Sequence, residues 1–111
     1  MLVVNRFAVA DEGAFTPRAE AALAALAGRP GFVSGSFGRA VDEPDRWCLV
    51  TVWESVGAYR RALSAFEVKV EATPLLAESL DEPSAYEVLL RAEPGGPVTT
   101  STSDRALPSQ T

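Results

Sequence analysis

Two nearly continuous apolar runs constrain the fold of this chain more than any other feature. The first covers residues 2–4 and the second covers residues 48–53. A strand with one face in water alternates apolar and polar residues, whereas a strand covered on both faces is apolar throughout. The runs therefore predict a sheet that is covered on both faces. A two-fold homodimer with two sheets packed face to face is the simplest closed arrangement.

The other patterns predict the element order strand, helix, strand, strand, helix, strand. Four segments rich in β-branched and aromatic residues, bounded by Gly, Pro and Asp, are the predicted strands: 2–9, 31–39, 46–54 and 84–91. Thr16 and Pro17 are suited to be the N-cap and first residue of helix one, and Gly28 is suited to end it. This order is the split βαβ arrangement of ferredoxin-like folds. We expect an α+β protein with a four-stranded antiparallel sheet and both helices on one face.

Helix two is predicted to begin after Ser55, whose hydroxyl is suited to an N-cap. The next apolar residues recur at spacings of three and four, which places them on one inward-facing stripe. They are Ala58, Tyr59, Ala62, Leu63 and Phe66. Pro74 should interrupt this helical region, because a proline has no N–H and its ring clashes with the preceding turn.

Length and composition limit the classes of protein to consider. The 111 residues fit one domain, and 15 acidic against 10 basic residues give a net charge of −5. We expect no nucleic-acid binding, which needs clustered Lys and Arg. No apolar stretch is long enough to span a bilayer and no basic leader is present, so we expect no membrane association and a cytoplasmic location.

Cysteine and histidine usage limits the chemistry. The chain has one cysteine, Cys48, and no histidine. This composition excludes a disulfide framework, a Cys-His nucleophile pair and a Cys/His zinc site, so no metal site is predicted. Cys48 is expected to be a small buried hydrophobe in a strand.

The C-terminal part differs in composition from the rest. Residues 92–111 are rich in Pro, Gly, Ser and Thr and have few apolar anchors, so we predict a domain at 1–91 followed by a tail at 92–111. Alone, the tail should be mobile unless something, such as a partner subunit, holds it.

Two short motifs carry a family resemblance. Pro30-Gly31-Phe32 opens one predicted strand, and Trp53-Glu54-Ser55 closes the next. Together they resemble the antibiotic biosynthesis monooxygenase family, over roughly residues 2–91. The resemblance implies a dimeric α+β barrel.

The resemblance also implies candidate site residues. In family members that form quinones from aromatic polyketides, the Trp of this motif and a Tyr six positions later line the substrate pocket, and the same spacing occurs here as Trp53 and Tyr59. Those enzymes use neither metal nor flavin, because the substrate itself reduces dioxygen. The expected partners are therefore an aromatic small molecule and dioxygen, with no cofactor. The expected apolar lining of the pocket is Phe7, Phe32 and Phe66.

One position departs from the family pattern. The family enzymes place an Asn four residues before the Trp, where this chain has Leu49. Asn5 interrupts an apolar strand and is the best candidate to supply the polar group, although it can equally bond backbone or the tail. It also matches an Asn that haem-degrading relatives use above the haem. Haem degradation is not expected, because residues 68–71 contain no histidine where those relatives carry their proximal ligand.

The leading hypothesis is a dimeric, cofactor-independent monooxygenase that acts on an aromatic or polyketide-type molecule, with Asn5, Trp53 and Tyr59 as catalytic residues. Two alternatives stay open: a non-catalytic small-molecule-binding or structural dimer, and a polyketide cyclase or isomerase on the same scaffold. An enclosed pocket lined by Trp53 and Tyr59, with Asn5 pointing inward, favours chemistry. Solid packing there favours the structural alternative.

Overall fold

The structure, a computed structural model, describes residues 1–101. Its central sheet has four strands in the order β2-β3-β1-β4, with every neighbouring pair antiparallel. This order confirms the predicted ferredoxin-like arrangement. The strands are β1 (Leu2–Ala8), β2 (Phe32–Arg39), β3 (Arg46–Trp53), β4 (Ala85–Tyr86), β5 (Leu90–Arg91) and β6 (Thr99–Thr100). The helices are α1 (Glu12–Ala27), α2 (Val56–Ser64), α3 (Phe66–Glu71) and α4 (Thr73–Leu76).

One face of the sheet carries the core. Alternate residues of β1 and β3 are buried there together with the apolar sides of the helices. The largest of these buried side chains are Trp53, Phe7, Leu26, Leu49 and Leu75. We call this side the helix face. Among residues 1–101, no helix has the length and apolarity that crossing a membrane requires.

The opposite side of the sheet is also apolar along its two central strands. Leu2 pairs with Val52, and Val4 pairs with Val50. All four side chains are half-buried and lie outside the core cluster. We call these four residues the open face. Cys48 lies on the same side, half-buried, whereas it was expected to be buried.

The start of helix α1 corrects the sequence prediction. The N-cap is Asp11, whose carboxylate accepts a hydrogen bond from the Ala14 N–H at 3.2 Å, and Pro17 lies inside the helix. The earlier start brings Phe15 into the core, where its side chain is 8% exposed. Burying that ring outweighs the single backbone hydrogen bond that an internal proline removes. The predicted end at Gly28 is confirmed.

The second helical region begins as predicted and then divides into three helices. Ser55 caps α2 by accepting a hydrogen bond from the Ala58 N–H at 3.0 Å. At Ala65 the backbone becomes extended, with ψ 141°, and α3 starts in a new direction. The prediction that Phe66 continues the inward stripe is therefore wrong, since its side chain is 79% exposed. Pro74 lies in the first turn of α4, an interruption that the sequence predicted.

The predicted last strand at 84–91 is wrong as a single element. Only Ala85–Tyr86 pairs with β1, at Val3 and Leu2. The chain then passes the N-terminal end of β1, so the residues that follow have no strand beside them. Leu90–Arg91 pairs instead with Thr99–Thr100 in a separate hairpin. This hairpin crosses the predicted domain boundary after residue 91, and the rest of the predicted tail, 102–111, lies outside the described residues.

The two sequence motifs meet in space. The Phe32 N–H donates to the Arg29 carbonyl at 3.2 Å and Gly31 has φ +89°, as in a type II turn with Pro30 and Gly31 in the middle. The Gly31 carbonyl accepts a hydrogen bond from the Glu54 N–H at 2.8 Å. A Cβ on Gly31 would lie 2.4 Å from the Ala58 Cβ. Only glycine fits this junction, for both conformational and steric reasons.

We expect Gly31→Ala to lower the free energy of unfolding by about 2–4 kcal/mol, because it combines backbone strain with overpacking against α2. The matched control is Gly38→Ala, since an added Cβ there meets nothing within 4 Å. The control should stay within about 1 kcal/mol of the native protein. Urea unfolding followed by circular dichroism measures both. Equal losses in the two variants would contradict the role assigned to Gly31.

Candidate functional site

Trp53 is the centre of an aromatic cluster at the end of β3. Its side chain is 1% exposed. The Phe32 ring meets it edge-on, with centroids 5.3 Å apart at 87°, and the Tyr59 ring lies 5.5 Å away at 54°. The structure thus brings together three of the six residues that the sequence singled out. α2 presents Tyr59 because Ser55 starts that helix directly after the strand.

The indole N–H of Trp53 already has an acceptor. Trp53 Nε1 donates to Thr51 Oγ1 at 2.9 Å, and the Thr51 side chain is also buried. A bound molecule would have to displace Thr51 to receive this hydrogen bond, so Trp53 offers only its ring. The sequence analysis missed Thr51. The available signal was its position two residues before Trp53, which puts both side chains on the same face of the strand.

Asn5 lies in the middle of the helix face. The β1–β3 register places it directly opposite Leu49, and both side chains are buried. Within residues 1–101 the Asn5 amide makes no hydrogen bond, and it is not among the fully enclosed unpaired atoms, so solvent still reaches it. Trp53 lies four residues beyond Leu49 along β3, about 13 Å at the rise of a strand.

The two remaining predicted residues lie elsewhere. Phe7 is 1% exposed and packs on Phe15, with centroids 5.1 Å apart, on the side of Asn5 away from Trp53. Phe66 is at the exposed start of α3. The structure therefore places the predicted residues in four separate positions. These are the Trp53 cluster, Asn5, the buried Phe7 ring and the exposed Phe66 ring.

Trp47, which the sequence motifs do not include, occupies the other end of the same strand face. Its ring stacks on Phe37 with centroids 5.1 Å apart at 18°, and the Arg39 guanidinium lies 5.4 Å from the ring centroid. Its Nε1 atom is buried and has no hydrogen-bond partner among the described residues. Such an atom is uncommon in folded proteins, because an unpaired buried donor costs about 1–3 kcal/mol.

Clefts mark several parts of the surface of the described chain. One of about 680 Å³ lies beside Trp53-Glu54-Ser55, where Val88 and Arg91 of the C-terminal segment also line it. A cleft of about 350 Å³ lies beside Phe7 and Trp47, and one of about 290 Å³ lies between α1 and α4. Neither Asn5 nor Tyr59 lines any of the three. Around Trp53 the helix side is filled by ring packing.

The ionisable chemistry of the site is limited. Burial raises the pKa of the Tyr59 hydroxyl above its ordinary value of 10.0, so Tyr59 is a neutral hydrogen-bond donor at neutral pH. Among residues 1–101 no group of three or more His, Cys, Asp or Glu side chains lies close enough together to hold a metal ion.

Comparisons with known proteins agree with the fold. The model of the antibiotic biosynthesis monooxygenase family matches residues 1–72. SnoaB, a cofactor-independent oxygenase from Streptomyces nogalater, is similar in structure, with 28% sequence identity, coverage of 97% of this chain and 96% of SnoaB, and a TM-score of 0.63.

More distant structures share the fold alone. A conserved protein from Methanosarcina mazei has 19% identity, coverage of 76% of this chain and 84% of that one, and a TM-score of 0.62. PA3566 from Pseudomonas aeruginosa has 11% identity, coverage of 78% and 92%, and a TM-score of 0.59. No curated protein sequence matches the chain.

The raised pKa of Tyr59 can be measured directly in Tyr86→Phe, which leaves Tyr59 as the only tyrosine of the chain. We expect phenolate absorbance to appear with a midpoint above 10.0 in the folded protein, and near the ordinary value after unfolding in urea. Because the folded pKa is the higher one, this group's contribution to stability is complete below the unfolded pKa. It is lost as the pH rises through the folded pKa. A folded midpoint at or below the unfolded one would contradict the burial of Tyr59.

Proposed function

Since the chain belongs to the antibiotic biosynthesis monooxygenase family, we propose that it is a cofactor-independent oxygenase that acts on an aromatic or polyketide-type small molecule with dioxygen. The likeness to SnoaB supports this reaction class. The observation that carries the proposal is Asn5, a buried amide that makes no hydrogen bond within residues 1–101.

The position of Asn5 supports a role in binding the substrate. Directly opposite residues of an antiparallel pair have Cβ atoms about 4.5–5.5 Å apart. Asn5 is opposite Leu49, the position at which the family resemblance implies an Asn. The chain therefore offers an amide on the neighbouring strand, at the same level of the sheet. A buried amide without a protein partner is stabilised when a ligand oxygen pairs with it.

The reaction needs few groups from the protein. An anthrone-type CH₂ loses a proton, and its carbanion reduces dioxygen. Carbon–oxygen bond formation and loss of water then give the quinone, so one dioxygen is consumed and no external reductant is required. Asn5 is the proposed donor to the substrate oxygen that becomes negatively charged, and the neutral Tyr59 hydroxyl, in the separate Trp53 cluster, is a proposed donor to a more distant polar group of the substrate. Trp53 holds Tyr59 in place and offers ring surface, because its N–H is bonded to Thr51.

The active assembly that we propose is a homodimer formed through the open face. Leu2, Val4, Val50 and Val52 form one apolar surface on paired strands, outside the core of their own chain. A second copy would cover this surface with an identical one, the self-complementary contact of a two-fold dimer. Removing these aliphatic side chains from water drives such an association.

One observation favours a non-catalytic alternative. The rings of Phe32 and Tyr59 pack on Trp53, and neither Tyr59 nor Asn5 lines any of the three clefts described above. A family member that binds small molecules without transforming them, or that serves as a structural dimer, needs no open space at this point. Oxygen consumption separates this alternative from the oxygenase.

We expect the native protein to consume dioxygen with anthrone faster than the buffer blank, and Asn5→Leu to lower kcat/KM about 10²-fold. The matched variant is the exchange Asn5→Leu/Leu49→Asn, which moves the amide to the opposite residue at constant side-chain composition. We expect the exchange to restore activity to within about tenfold of native, since the two positions share one face. An oxygen electrode measures all three proteins. The oxygenase proposal fails if the native protein shows no uptake above the blank.

Sedimentation tests the dimer separately. The native chain should sediment as twice its 11.8 kDa mass at micromolar concentration. Val50→Glu should dissociate it, because burying an unpaired carboxylate in an apolar contact is costly. The control Ala24→Glu adds the same charge to an exposed position of α1 and should remain dimeric. A native chain that is monomeric throughout, or a Val50→Glu variant that stays dimeric, would exclude this interface.

A further inference from the structure

The side of the sheet that carries the open face changes character along β1 and β3. Side chains on one side of a strand recur at every second residue. Beyond the aliphatic residues, this side continues with Arg6, which is opposite Cys48, and then with Arg46, which is opposite Ala8. On the neighbouring strand β2, Gly38 is also opposite Cys48. Small residues therefore form the surface of the sheet at this end, and two arginines extend from it.

The cleft of about 350 Å³ lies over these small residues. An added Cβ on Gly38 would meet nothing within 4 Å, so the space above this glycine is open. Leu80 also lines the cleft and lies beside β1, where its N–H donates to the Arg6 carbonyl at 2.7 Å. The volume is within the usual range for small-molecule sites. We call this space the arginine cleft, after Arg6 and Arg46.

Positive charge exceeds negative charge in the arginine cleft, although the chain as a whole carries a net charge of −5. Arg6 and Arg46 extend from its side of the sheet, and Glu82 is the acidic residue in its lining. A third arginine, Arg39, borders the cleft, but its guanidinium lies over the Trp47 ring at 5.4 Å from the centroid, toward the helix face. The two guanidinium groups of Arg6 and Arg46 are therefore the ones available to a ligand.

The chain neutralises these two groups only in part. Arg46 Nε lies 3.9 and 4.0 Å from carboxylate oxygens of Glu43 and Asp45, and all three side chains are exposed, so these pairs are weak. Within residues 1–101 the Arg6 side chain makes no ion pair or hydrogen bond. Arg6 and Arg46 are diagonal neighbours across β1 and β3, with backbones about 7–8 Å apart. An anion bound between them would relieve their mutual repulsion.

We propose that the arginine cleft is a second ligand site, on the side of the sheet opposite Asn5, that binds the carboxylate group of a small organic acid with an apolar body. The guanidinium groups of Arg6 and Arg46 hold the carboxylate through charge-assisted hydrogen bonds. Leu80 and the small residues of the sheet contact the apolar body. Glu82 weakens binding by like-charge repulsion. The site uses none of the four open-face residues, and it does not depend on the oxygenase.

Benzoate and benzamide are suitable probes, because they are similar in shape and differ in charge. We would titrate the ¹⁵N-labelled native protein with each and follow backbone amide signals in ¹H–¹⁵N spectra. Saturable shifts with benzoate should be largest at Arg6, Gly38 and Cys48. Benzamide and inorganic phosphate should each bind about tenfold more weakly, since one lacks the charge and the other the apolar body. The proposal is overturned if either binds as tightly as benzoate, or if benzoate causes no saturable shift at these residues.

Single substitutions test the role of each charge. Arg6→Gln should weaken benzoate binding about tenfold, and Glu82→Gln should strengthen it about twofold. The matched control is Arg60→Gln, which removes the same charge from an exposed position of α2 and should bind within about twofold of native. Native affinity in Arg6→Gln, or an equal loss in Arg60→Gln, would contradict the proposal.

Cys48, the single cysteine of the chain, gives an independent measurement at the floor of the cleft. Saturating benzoate should slow alkylation of its thiol by the neutral reagent iodoacetamide, because the bound acid covers the thiol. Benzamide at the same concentration should not. An alkylation rate that benzoate leaves unchanged would place the anion elsewhere and overturn the site. None of these measurements uses oxygen uptake, so their outcome is separate from that of the proposed function.

Discussion

The junction between the Pro30-Gly31 turn and the end of β3 determines how the rest of the site is arranged. The Gly31 carbonyl accepts the Glu54 N–H at 2.8 Å, and the missing side chain of Gly31 lets α2 approach at Ala58. This contact fixes where α2 begins, one residue after Ser55. It also brings Phe32 and Tyr59 onto Trp53 from the strand and from the helix, respectively. The aromatic cluster is therefore a consequence of one close backbone approach.

That arrangement commits the Trp53 N–H to a contact within the protein. With its N–H bonded to Thr51 and its ring covered on the helix side, Trp53 cannot act as a donor without losing a buried hydrogen bond. Within residues 1–101, donors without a partner include the Asn5 amide on β1 and Trp47 Nε1 toward the other end of β3. Asn5 lies opposite Leu49, so the chain carries an amide on β1 at the level of the sheet where β3 has an aliphatic side chain.

Local signals in the sequence were sufficient for the element order, the Ser55 cap and the end of α1 at Gly28. They failed where a distant contact decided the outcome. Asp11 and Thr16 both have side chains that can cap a helix, and the start at Asp11 is the one that buries Phe15. The last strand is short because β1 begins at Leu2 and offers no pairing partner beyond that point. The sequence of residues 84–91 carries no sign of this restriction. In the site, Trp53 and Tyr59 were identified through the family resemblance, whereas the Trp47 N–H, which has no partner within residues 1–101, depends on what surrounds it.

The two faces of the central sheet depend on the same strand register, because β1 and β3 contribute side chains to both. Val4 and Asn5 are adjacent in β1, as are Leu49 and Val50 in β3, so each strand contributes alternately to the open face and to the helix face. A slip of one residue in β1 would move Leu2 and Val4 to the helix face and Asn5 out of the core. Covering the open face would therefore hold the register that keeps Asn5 on the helix face, opposite Leu49. This coupling gives the proposed dimer a direct physical effect on the geometry of the proposed site, even though the interface and the donors lie on opposite sides of the sheet.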